Sequence, residues 1–162
     1  MEIFYKICCT FKRCVYFYIS INVIKNFEIV RTIPTNSDKA FREIANFENY
    51  VNFIPGCSNA KLIEKSDDSE IGLLEFDFFT KKYRIKSKNT LSKNHIKIEQ
   101  IEGPFETFEG HWHLNPISED SCEAKLTARF KLPFILEKII PENVINSFCE
   151  AALDGFLKNI DN

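Results

Sequence analysis

Two histidines, His111 and His113, stand two residues apart in the stretch Phe108-Glu-Gly-His-Trp-His. On a β-strand that spacing puts both imidazoles on one face, as an H-x-H metal pair requires. The alternate positions Phe108, Gly110, Trp112 and Leu114 are apolar or small. They take the core side and leave the histidines to solvent, so the expectation is a solvated, non-ligating pair and no metal site. His95 falls in an expected turn and carries no signal of its own. Glu102, Glu106 and Glu109 gather around Gly103-Pro104. Acid–base work by such a group needs burial that moves a pKa, and the outward phase of Glu109 argues for surface charge. Ser58 and Ser121 have no His and acid at the spacing of a nucleophilic triad. Neither G-x-G-x-x-G nor a P-loop occurs. The six cysteines, at 8, 9, 14, 57, 122 and 149, form no C-x-x-C pair and no zinc quartet. They read as reduced thiols of a reducing compartment, Cys57 in a structural role. No catalytic constellation emerges, and the expectation is a protein that is not an enzyme.

The elements that must position these residues follow from periodicity. The chain has 162 residues, enough for one sizeable core. A net charge of −2 lacks the basic footprint of a DNA-binding protein. Residues 27–33 suggest a strand stopped by Pro34. Asn36 or Ser37 caps a helix with Ala40, Phe41, Ile44, Ala45 and Phe47 on its apolar face. A second short helix fits 48–54, stopped by Pro55-Gly56. The period then changes from 3.6 to 2, giving strands at 57–65, 70–79, 82–91, 94–102, 107–115 and 121–132. In the last, Cys122, Ala124, Leu126, Ala128, Phe130 and Leu132 alternate with charged or polar partners, the mark of a half-solvated antiparallel sheet. A two-residue loop at Thr80-Lys81 would pair Phe78 with Tyr83 and Phe76 with Ile85, placing Asp77 against Arg84 and Glu75 against Lys86. One long helix is expected over 137–160, with a wide apolar stripe that only the sheet can cover.

Residues 1–26 differ from the rest. Lys6, Lys12 and Arg13 precede an apolar run, Cys14–Ile24, about half the length of a membrane span. Residues 1–24 are treated as an N-terminal extension and 25–162 as one domain. The extension reads as a start-site artefact in preference to a targeting segment or a peripheral anchor.

Three motifs carry a resemblance. Glu48-Asn-Tyr-Val-Asn-Phe-Ile-Pro-Gly-Cys57 is similar to a "YPxFLPxC" stretch, Ile101-Glu-Gly-Pro-Phe105 to a "GPF" turn, and Phe108-Glu-Gly-His-Trp112 to an "L-x-G-x-W" strand. Together they resemble the coenzyme Q-binding START-domain family, which includes bacterial ribosome association toxins of RatA type and mitochondrial coenzyme Q-binding proteins. The likeness covers about 27–160. Asn52 departs from it, where the family usually has Pro, and so does the N-terminal extension. The resemblance implies an α+β helix-grip fold, START-like, with a curved antiparallel sheet of six or seven strands wrapped around the C-terminal helix. It implies ubiquinone held in a hydrophobic tunnel, as a bound ligand and not a covalent cofactor, in support of respiration. Its alternative is a regulator that binds the large ribosomal subunit and blocks subunit association. It also implies a bacterial cytoplasmic protein, peripheral at the inner membrane beside respiratory complexes, or a mitochondrial one on the matrix side.

Flat rings suit a quinone head, and apolar walls suit an isoprenoid tail worth about 0.8 kcal/mol per buried CH₂. The expected lining is Phe76, Phe78, Phe108, Trp112 and Phe130 from the sheet and Phe148, Ala152 and Phe156 from the helix. Phe53, with Ile54 and Pro55, is expected as a lid. Lys82, Arg84, Lys86 and Lys88, with Lys125, Arg129 and Lys131, form an outer basic stripe. It reads as a solvated face among acidic neighbours rather than an RNA or lipid contact.

Overall fold

A computed structural model describes residues 24–78, 81–140 and 142–160, with only the backbone for Phe78, Glu142, Asn159 and Ile160. Residues 1–23 of the expected extension and Thr80 of the expected loop lie outside the described residues. The chain opens with β1 (Lys25–Ile33), which turns at Pro34 into α1 (Ser37–Ala45). The Asn36 side chain caps α1 by accepting from the Lys39 amide at 2.8 Å, and Asp38 in the first turn complements the helix dipole. Ala40 and Ile44 bury its inner face. A 3₁₀ helix, η1 (Phe47–Asn52), follows. Pro55-Gly56 then reverses the chain, with Gly56 at φ +73°, a conformation that only glycine adopts cheaply.

Six more strands form the rest of the sheet: β2 (Cys57–Lys65), β3 (Ser69–Phe78), β4 (Lys81–Ser92), β5 (His95–Glu102), β6 (Thr107–Ser118) and β7 (Ser121–Lys131). The order is β1-β7-β6-β5-β4-β3-β2, antiparallel throughout. β1 and β2 are consecutive in the chain yet occupy opposite edges, so α1 and η1 must cross one face. That face is the concave one. Bulges in β2, β5 and β6 add the twist that curves the sheet.

The β3–β4 register differs from expectation by two residues. Phe76 pairs with Tyr83, Leu74 with Ile85, Glu75 with Arg84, Asp77 with Lys82 and Phe78 with Lys81. A slip of two keeps the paired residues on their expected faces. Glu75 gains the better partner, Arg84 Nε at 2.7 Å.

The expected single helix is two: α2 (Phe134–Ile139) and α3 (Glu142–Ile160). Ile140 between them is extended, at φ −102° and ψ 106°. The ring of a following proline excludes the α conformation from the residue before it, and Pro141 follows. α3 is gripped at its C-terminal half. Leu153 and Phe156 are about 1% exposed and join Ile33, Ile44, Ile96, Trp112, Leu114, Cys122 and Ala124 in the main core. Phe47, Tyr50 and Leu74 form a second cluster under η1. Gly155 lets α3 pass against the Phe53 carbonyl, where a β-carbon would collide with backbone.

Candidate functional site

The concave face divides along its length. At one end Ile29, Ile96, Trp112, Leu114, Cys122 and Ala124 are buried beneath α1 and the C-terminal half of α3. At the other end Phe76, Tyr83, Ile85, Ile98, Phe108 and Leu126 also point inward but are only half-buried. Above them runs the N-terminal half of α3, where Val144 and Phe148 are exposed and Ile145, Cys149 and Ala152 are half-buried. Apolar side chains of sheet and helix thus face each other there without being fully covered, along a line we call the groove. Burial pushes the Cys149 thiol up to about 11, so this thiol stays protonated and a poor nucleophile at neutral pH.

The expected lining residues fall into three groups. Phe53, Trp112 and Phe156 meet in one packed row, with Phe156 5.7 Å from Trp112 and 5.6 Å from Phe53 between ring centres. Phe76 and Phe148 meet edge to face across the groove at 6.1 Å. Phe108 and Phe130 both touch Phe105, at 5.2 and 5.7 Å. Ala152 is half-buried on α3. The side chain of Phe78 lies outside the described residues. Phe53 extends the η1 cluster, 5.0 Å from Tyr50, and packs onto α3. The Gly103-Pro104 turn is clasped by Gln100, whose amide nitrogen donates to the Phe105 carbonyl at 2.9 Å and whose oxygen accepts from the Phe105 amide at 3.4 Å.

A polar strip on the same concave face was not anticipated. Glu70, Ser87 and Asn89 are 3–5% exposed, and the Ser87 hydroxyl donates to Asn89 Oδ1 at 3.1 Å. Lys65 Nζ reaches in to Glu70 at 2.6 Å. Beside them the buried Tyr50 hydroxyl donates to the Ile44 carbonyl at 2.8 Å. Burial, and secondarily the charge of Glu70, hold that phenol far above its ordinary pKa. The signal was present: the phase that sends Leu74 and Phe76 inward sends Glu70 inward too.

His111 and His113 point outward from the convex face, as the alternation with Gly110, Trp112 and Leu114 requires, but His95 departs from expectation. His95 is not in a turn. It opens β5 and pairs with His113, while Lys97 pairs with His111. His95 and His113 stack at 4.3 Å, and His95 Nε2 lies 3.0 Å from His111 Nδ1. His111 Nε2 donates to Glu109 Oε1 at 3.1 Å. Lys97 bridges Glu99 at 2.7 Å and Glu109 at 3.3 Å. Hydrogen bonds from His111 and Lys97 hold the Glu109 carboxyl below its ordinary value. Burial, then the neighbouring His113, His111 and Lys97, push the His95 imidazole down. A recess of about 320 Å³ adjoins, lined by Glu28, Glu109, His111, Thr127 and Arg129 among others.

The remaining sequence candidates are surface groups. Glu106 pairs with Lys131 at 2.6 Å and Glu102 is exposed. The Ser58 hydroxyl donates to the Glu75 carbonyl at 3.4 Å, and Ser121 begins β7. In the basic stripe, Lys82 faces Asp77, Arg84 faces Glu75 and Lys125 faces Glu28. Cys57, Cys122 and Cys149 are free thiols. No helix among the described residues is long and apolar enough to cross a membrane.

A seven-stranded antiparallel sheet curved around a C-terminal helix defines a START-like helix-grip protein. The chain belongs to the family described as polyketide cyclase/dehydrase and lipid transport, which it matches over residues 33–156. The resemblance read from the three motifs holds at the level of that family. The chain is similar to the ribosome association toxin RatA of Vibrio cholerae, 24% identical over 129 residues that span 74% of this chain and 90% of that protein. Its fold matches the ZhuI aromatase/cyclase of a Streptomyces species at a TM-score of 0.76, with 17% identity, 86% of this chain and 94% of the other. It also matches norcoclaurine synthase from Thalictrum flavum at 0.63, with 17% identity, 92% of this chain and 96% of the other. These neighbours overturn the expectation that the chain is not an enzyme. Enzymes carry this fold, and the family's description spans cyclases and dehydrases as well as lipid transport.

Proposed function

We propose that the chain binds a ubiquinone-type isoprenoid lipid in the groove between the concave face and the N-terminal half of α3. The observation that carries this reading is the set of inward-facing apolar side chains left half-buried there, from Phe76, Ile85, Ile98 and Phe108 to Ile145 and Ala152, with Phe148 exposed above them. An isoprenoid chain would bury them at about 25 cal/mol per Å². The polar strip supplies the Asn89 amide, whose N–H groups suit the quinone carbonyls, on the same face. α2 supports uptake from a membrane surface: Phe134, Ile135 and Ile139 are exposed at 44%, 70% and 58%, and Lys138 lies 4.8 Å over the Phe134 ring. On this reading the protein works at a quinone-bearing membrane and hands its ligand to respiratory complexes. Protein purified from a quinone-producing host is extracted with organic solvent and the extract is identified by mass spectrometry. A stoichiometric isoprenoid quinone is expected. An extract free of lipid, from protein that also takes up none on incubation, refutes the reading.

A second reading, association with the large ribosomal subunit, is favoured by the likeness to proteins named for ribosome association. Sedimentation of a cell extract through sucrose distinguishes it: co-migration with the large subunit supports it, and absence from that fraction counts against it. The ion-paired state of much of the basic stripe does not favour it.

A further inference from the structure

The chain has three histidines, and the fold brings all of them to one spot on the convex face, far in sequence from one another only at His95. Their ring nitrogens lie within 4.8 Å of one another. We propose that His95, His111 and His113 form a binding site for a borderline divalent transition metal, Zn²⁺ in the first instance and Ni²⁺ or Cu²⁺ by the same chemistry.

The ring nitrogens are aimed for ligation. Glu109 carries no proton to give, so His111 Nε2 must hold one to donate to it at 3.1 Å. That fixes the lone pair of neutral His111 on Nδ1, the atom facing His95 Nε2 at 3.0 Å. A carboxylate holding the far nitrogen of an imidazole is the usual second partner of a metal-bound histidine. The far nitrogen of His95, Nδ1, has the Ser92 hydroxyl at 3.4 Å in the same role. Without a metal, one proton must sit between His95 Nε2 and His111 Nδ1. A cation would replace that proton. Two nitrogens sharing a tetrahedral zinc at about 2.1 Å stand roughly 3.4 Å apart, close to the spacing present. His113, stacked on His95 across the strand pair, needs only a side-chain rotation to complete a three-nitrogen set.

The surrounding charge permits a cation. Lys97 is engaged by Glu99 and Glu109, and Lys125, opposite His113 on β7, by Glu28. Three protein ligands leave a coordination position open, and the recess beside His111 adjoins it. The site lies on the face opposite the groove, so it stands or falls apart from lipid binding.

The test uses the full chain without a histidine tag. Zn²⁺ is titrated by calorimetry and by NMR of the three imidazole rings, and Co²⁺ by visible absorption. One equivalent should bind, shift all three rings and give the Co²⁺ absorption of a low-coordinate nitrogen site. His95→Ala or His111→Ala should each weaken binding more than about tenfold, and Glu109→Gln by about 10–100-fold. Affinity should also fall as the pH is lowered, because the ligands bind the metal only when deprotonated. Unshifted rings, or binding that survives the His95→Ala/His111→Ala double variant because thiols supply it, would overturn the proposal.

Discussion

Single residues decide two contacts whose sign can be tested. Gly155 sits within α3, where replacing glycine by alanine ordinarily gains about 1 kcal/mol of helix propensity. Here the new methyl meets the Phe53 carbonyl, which as backbone cannot turn away. Gly155→Ala should therefore destabilise the fold, by about 1–3 kcal/mol in a urea melt; a gain in stability would show that α3 does not press on the loop after η1. His95 gives the second. Its imidazole is held below the ordinary value near 6.5, first by burial and then by cationic neighbours. A depressed folded-state pKa means that the unfolded chain takes up protons first. Stability should be complete above about pH 6.5 and decline as the pH falls through and below it. A Tm profile over that window measures the effect, and His95→Gln should flatten part of it. Glu109, whose depressed carboxyl titrates lower still, leaves its own decline at more acidic pH.

At the scale of elements, the two halves of α3 do different work. Phe156 is 1% exposed among Trp112 and Phe53, whereas Phe148 is 38% exposed over the groove. Phe156→Ala should cost about 3–5 kcal/mol. Phe148→Asp should cost less than about 1 kcal/mol in stability and yet abolish uptake of an apolar ligand. Equal destabilisation by both would mean that the helix is gripped along its whole length. Much of this layer was legible in the sequence. The alternation of Cys122 through Leu132 and the capping signal at Asn36 both lead to the observed elements. The division of α3 was not legible, because its apolar stripe is continuous and only the packed sheet shows which part is covered. The break at Ile140 is legible in Pro141, although the apolar stripe continues across it. The β3–β4 slip of two could not be read, since both registers satisfy the same face pattern and pair opposite charges.

At the scale of the molecule, the strand order brings together residues that no local pattern connects. His95 meets His113 only because the turn through Gly103-Pro104, clasped by Gln100, sets the β5–β6 register. A reading of H-x-H alone therefore missed the third imidazole. Likewise the buried polar strip of Glu70, Ser87 and Asn89 depends on three inward phases across two strands, and emerges only when β3 and β4 are laid side by side. The concave groove is the product of the whole arrangement: β1 and β2 at opposite edges draw α1 and η1 across one end, and α3 closes that end while standing off the other. The chain's single tryptophan, Trp112, lies where the covered end meets the open one. Ubiquinone titrated into the full chain offers the most direct measurement of the central claim. Quinones quench indole emission on close approach, so saturable quenching of Trp112 that Phe148→Asp removes is the predicted result. Emission unchanged at saturating quinone, with the protein folded, would contradict it.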